Sequence, residues 1–137
     1  MDAATTELVA ALLRVIVAWS GQPWPAHIPP VEIVPSASMP CNCQGFFAYA
    51  RESRGYGGVT RIPERLLLRD DVNLATALGR SILLHELVHA LQAQSGPAEY
   101  GTPLWYRRER QAYAFQARYL RDADATIRLT IRETEND

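Results

Sequence analysis

Two of the three histidines in this 137-residue chain lie four residues apart, in the stretch ILLHELVHALQ at positions 82–92. His85, Glu86 and His89 make an H-E-x-x-H sequence inside a run of leucines. On a helix, positions i and i+4 are neighbours on one face, about 5–6 Å apart at Cβ, so two imidazoles can converge on one metal ion. Glu86 is one residue step around the axis. From there it can lean over the metal without ligating it and act as base toward a water. Neutral imidazole nitrogen is a good zinc donor, and a catalytic zinc takes three protein ligands and keeps one position for water. Burying two histidines among leucines is also costly unless their nitrogens find partners.

A third ligand has to come from elsewhere. His27, the remaining histidine, sits in the proline-rich connector GQPWPAHIPP, and zinc ligands are usually braced on ordered elements. No histidine follows His89, which excludes an all-histidine site of the H-E-x-x-H-x-x-G-x-x-H type. The carboxylates downstream are the better candidates: Glu99 in a loop, and Glu109 on the next helix. An antiparallel helix pair would return Glu109 to the histidines, and Ala112, Tyr113 and Gln116 share its face. Glu109 is the expected ligand. Against it stands the ordinary reading of a solvated charge among Arg107, Arg108 and Arg110. For an oxyanion donor Tyr106, one turn before Glu109, ranks ahead of Tyr100 and Tyr113, although tyrosines more often serve packing.

The elements that must position these residues follow from periodicity. Leu8, Leu12, Val15, Ile16 and Trp19 fall on one face of a first helix within residues 1–21, starting near Thr5 or Thr6. Residues 31–35 and 46–52 alternate as strands, and 59–63 returns after the turn residues SRGYGG, giving an antiparallel hairpin with a rather long loop. The small sheet therefore spans residues 31–63. No element is assigned to 64–71. From about Val72 the period is helical up to Gly96-Pro97, and apolar residues surround the axis, as in a central, buried helix. A last helix covers residues 104–124, with a polar tail beyond. The fold class is α+β, one domain with helices on a small antiparallel sheet.

Composition narrows the function classes. The apolar fraction of 47% and charged fraction of 21% suit a soluble globular domain. A net charge of −1, with scattered arginines, gives no field for nucleic acid or an anionic membrane. The apolar N-terminus lacks a basic leader and is broken by Glu7 and Arg14, so neither a signal nor a membrane span is expected. Cys41 and Cys43 are expected as reduced thiols, because an i to i+2 bridge is strained, and the expected location is cytoplasmic.

The stretches HELVHALQ (85–92) and RERQAYAFQARYL (108–120) resemble the gluzincin zinc metallopeptidases, in particular their minimal single-domain forms. The resemblance is tight over about twenty residues and architectural over residues 31–120. It implies a zincin-like core, zinc held by His85, His89 and Glu109, water activated by Glu86, and a peptide or protein substrate. One position departs from the family pattern E-x-E-A-Y, since Gln111 stands where a second acidic residue is usual. In several gluzincins the ligand directly precedes the small residue; that register would put a neutral amide at the metal. Glu109 and Gln111 lie about 200° apart on a helix and cannot both face it. The alternative reading is a catalytically weak or inactive zincin-like binding module.

Overall fold

Every residue from Ser81 to Val88 is buried, a run of more than two turns, so buried side chains surround the axis of one helix, α2, spanning Ala77–Gln92. That distribution is the reason α2 is the centre of the molecule, as its all-round apolar pattern predicts. In this computed structural model, which describes the backbone of residues 1–136 and the side chains of residues 1–123, α2 touches both other helices and the sheet. Helix α1 (Ala3–Ser20) turns Val9, Leu12, Leu13 and Ile16 into the common core. Its start lies earlier than predicted because Asp2, not a threonine, caps it, accepting from the Thr5 amide at 2.7 Å. Among the described residues α1 is the one helix long and apolar enough for a membrane span, but its inward face packs on α2. Helix α3 (Pro103–Asn136) packs along α2 and continues as helix past residue 124.

The sheet differs from its predicted form. The described residues form five strands: β1 (Val31–Val34), β2 (Gly45–Ala48), β3 (Arg51–Gly55), β4 (Gly58–Ile62) and β5 (Arg65–Arg69). A three-stranded sheet has the order β1-β5-β2, so β5, in the stretch with no predicted element, is its central strand. The sheet thus reaches residue 69 rather than 63. It is mixed, not antiparallel: β1 runs parallel to β5 (Val31 opposite Leu66), and β2 runs antiparallel to it (Phe47 opposite Leu66). The physical reason β5 is hard to see is burial on two faces. Leu66, Leu67 and Leu68 are all buried, so the period-two alternation that marks a half-exposed strand is absent.

The predicted strand 46–52 breaks at Tyr49-Ala50. Its first half pairs with β5 and its second half, β3, pairs with β4. The β3–β4 ladder is longer than expected and its loop shorter, with Tyr56 and Gly57 at the tip and Gly58 at φ 101°. Nearly all of this ribbon is solvent-exposed, with only Ile62 partly covered. The loop before β2 joins Cys41 to Cys43 as a disulfide, in place of the two thiols expected.

Helix α2 begins at Ala77, later than predicted, because residues 73–76 form its cap. The Thr76 hydroxyl accepts from the Gly79 amide (3.0 Å) and donates to the Asn73 carbonyl (2.8 Å). This folds the Asn73 carbonyl over Gly79, where a Cβ would sit 1.8 Å from the oxygen. Alanine in a helix normally gains about 1 kcal/mol over glycine. Gly79→Ala should instead destabilise the protein, lowering its urea midpoint; a raised midpoint would contradict the cap geometry.

Candidate metal centre

Helices α2 and α3 meet through a ladder of side-chain contacts: Arg80 with Tyr119, Ser81 and His85 with Gln116, His89 with Glu109, and Gln92 with Arg108. Numbers rise on α2 as they fall on α3, so the helices are antiparallel, as required to return Glu109 to the histidines. Ala112, fully buried at this contact, leaves room for the close approach. Arg108 also serves the frame rather than solvent. It is 8% exposed and donates to the Gly96 carbonyl (2.7 Å) and the Tyr49 hydroxyl (3.2 Å).

At the centre of this contact His85, His89 and Glu109 form one group, with a ligand atom from each lying within 4.8 Å of the others, and this group can hold a metal ion. The two Nε2 atoms are 3.3 Å apart. Glu109 Oε1 lies 3.4 Å from His85 Nε2 and in direct contact with His89 Nε2. The far sides of the rings are hydrogen-bonded: His85 Nδ1–H donates to Gln116 Oε1 (3.0 Å), and His89 Nδ1–H donates to Gln92 Oε1 (2.8 Å). Burial holds the His85 pKa below its usual value, and His89 adds to this. Burial would also lower His89, but Glu109, Glu86 and Gln92 outweigh it and raise it. Glu109 is held below the usual carboxylate range by its hydrogen bond to His89.

Glu86 is buried beside this group, and burial pushes its pKa up to about 7, with His89 opposing and Glu109 reinforcing the rise. Strand β2 seats it. A Cβ on Gly45 would meet Glu86 Cγ at 2.8 Å and Oε1 at 3.2 Å, so the backbone of the edge strand lies directly on the carboxylate. Any side chain at position 45 would displace Glu86.

The other sequence candidates fall elsewhere. His27 is exposed and lines a small cavity with Glu64 and Gln94. Glu99 is exposed, and its carbonyl accepts from the Thr102 hydroxyl. Gln111 turns away from the histidines' ligating side and accepts from Gln92 Nε2 (2.8 Å). Tyr106 is half-exposed and meets Trp105 edge-on at 5.0 Å, whereas Tyr113 places its ring 4.5 Å from His85. The Tyr113 hydroxyl has a raised pKa through partial burial and the nearby charges of Glu109 and Glu86. Sequence reasoning did not find Gly45, in its predicted loop, or the roles of Gln92 and Gln116. A signal for Gln92 exists, three residues after His89 on the same face.

The raised Glu86 pKa has a consequence for metal-free protein. A carboxyl whose folded pKa is above its unfolded value of about 4.5 favours folding at low pH, and that contribution is lost as pH rises through about 7. Glu86→Gln should therefore stabilise the metal-free protein at pH 8.5 relative to pH 5, by roughly 3 kcal/mol. Urea unfolding of both proteins at the two pH values measures it; an equal difference at both would contradict burial as the cause.

Comparison of the chain with protein-family models, with curated proteins and with solved structures finds no match. The geometry of the centre therefore carries the functional argument.

Proposed function

We propose that this protein is a zinc-dependent metallopeptidase, with zinc held by His85, His89 and Glu109. The carrying observation is the convergence of two imidazole Nε2 atoms and one carboxylate oxygen within 4.8 Å, beside a fourth, buried carboxyl group. The donor set fits zinc: each Nδ1 is engaged elsewhere, so Nε2 is the nitrogen each ring has for a metal. The hydrogen that His89 Nε2 shares with Glu109 is given up on binding, and two neutral nitrogens with one carboxylate suit a catalytic site. Bound there, zinc would supply Lewis acidity toward a peptide carbonyl and toward water.

The chain's own residues supply the rest. Glu86, with a pKa near neutrality, is suited to take a proton from the attacking water and return it to the departing amine. Tyr113, against His85, is better placed than Tyr106 to donate its phenolic hydrogen to the developing oxyanion. Strand β2 lies at an edge of the three-stranded sheet with Gly45 on Glu86, so a substrate peptide adding to that edge would pass the carboxylate.

A second reading, a zincin-like binding module without catalysis, is favoured by one observation. The cavity of about 330 Å³ between Gln22, Gln92 and Arg107 is not lined by Glu86 or the ligating side of the histidines. Elemental analysis and peptide cleavage separate the readings. The expected result is one zinc per chain, lost in His85→Ala and Glu109→Ala but retained in Glu86→Gln, whose cleavage rate falls about 10²–10⁴-fold. Tyr113→Phe should slow cleavage by about 10–100-fold and Tyr106→Phe should not. Zinc binding without cleavage in the wild type would select the binding module. Zinc lost from Gln111→Ala but not from Glu109→Ala would overturn the ligand set.

A further inference from the structure

Each histidine of the centre ends a hydrogen-bond chain that starts at a backbone carbonyl, and the direction of every bond in those chains is forced. A carbonyl oxygen can only accept. The Leu78 carbonyl takes the Ser81 hydroxyl hydrogen (2.6 Å), so Ser81 Oγ must accept from Gln116 Nε2 (3.3 Å). That fixes the Gln116 amide with its oxygen toward His85, and the oxygen requires a hydrogen on His85 Nδ1 (3.0 Å). The second chain is shorter. The Arg108 carbonyl takes a hydrogen from Gln92 Nε2 (3.0 Å), which turns Gln92 Oε1 toward His89 Nδ1 (2.8 Å). Gln111 Oε1 accepts the other amide hydrogen of Gln92 and supports the same orientation.

We infer that Gln92 and Gln116 are positioning residues that set the tautomer of both histidines, using backbone carbonyls of α2 and α3 as the fixed reference. A neutral imidazole carries one ring hydrogen, so placing it at Nδ1 leaves the Nε2 lone pair directed at the metal position. An amide turned the other way would present N–H₂ to Nδ1, place the ring hydrogen on Nε2 and block ligation. Both relays end in neutral amides, which hold a hydrogen in place without adding charge beside the histidines. The inference rests on the metal-centre reading above and assigns Gln111 a supporting role behind Gln92 in place of a ligand's role.

The test is zinc affinity, read by competition with a chromophoric chelator, on the full chain. Gln92→Leu and Gln116→Leu should each weaken zinc binding about 10–100-fold, the usual cost of losing a partner behind a ligand. Gln116→Glu keeps an acceptor facing Nδ1, and the Ser81 hydroxyl can turn its hydrogen to the second oxygen, so this variant should bind within a few-fold of wild type. Because Gln92 is 5% exposed and its leucine variant can fail to fold, Ser81→Ala serves as the second probe. It removes the anchor that orients Gln116 and should weaken zinc several-fold, with thermal melting in chelator reporting the metal-free fold. Leucine and Ser81→Ala variants that fold and bind zinc like wild type would overturn the relay alone. So would a Gln116→Glu variant that binds no better than Gln116→Leu. Wild-type protein that binds no zinc would overturn the metal-centre reading and the relay with it.

Discussion

The constraint on which this structure depends is that its most buried helix also carries its ionisable cluster. His85, Glu86 and His89 interrupt a leucine-rich helix that has neighbours on several sides, so their polar atoms have to be matched inside the protein. No buried side-chain nitrogen or oxygen lacks a partner among the described residues. Meeting that condition dictates much of α3. Glu109 faces the Nε2 side of the histidines, Gln116 faces the far side of one ring, and Ala112 between them allows the approach. The helix pair is thus held in register by polar chemistry as well as by apolar packing.

The sheet contributes in a different way. β5 supplies the leucines against which the helices close, and it anchors β2 by backbone pairing. β2 in turn brings Gly45 onto Glu86, and the missing side chain is what permits the contact. A carboxyl group enclosed this closely loses water, which explains why its pKa rises although a histidine stands beside it. The same enclosure leaves Glu109, only partly buried and hydrogen-bonded to His89, as the ionised member of the pair. Glu86 and Glu109 both feel the charge of His89, yet burial raises one and a hydrogen bond lowers the other.

Much of this was legible in the residue pattern. The three helices, the central position of α2 and the pairing of His85 with His89 follow from periodicity and spacing, because i to i+4 geometry does not depend on the rest of the fold. The expectation of Glu109 beside them rests instead on an antiparallel helix pair, which the structure contains. The sheet was less legible. Alternation marks strands that are half exposed, and β5 is not; the break at Tyr49-Ala50 depends on which partner each half finds, β5 or β4. Which of Tyr106 and Tyr113 stands beside His85 was not legible either, since both are one turn from Glu109 and only the facing helix distinguishes them.

The sequence by itself determined that two histidines and a glutamate share a helix at metal-binding spacing, because local helical geometry fixes those distances. Only the tertiary structure decided what surrounds them. It set Gln111 behind Gln92, turned both imidazoles through amides tied to backbone carbonyls, and laid Gly45 on Glu86. These relations join residues from 16 to more than 30 positions apart. They arise from the antiparallel packing of α2 on α3 and from the pairing of β2 with β5, which no local spacing encodes.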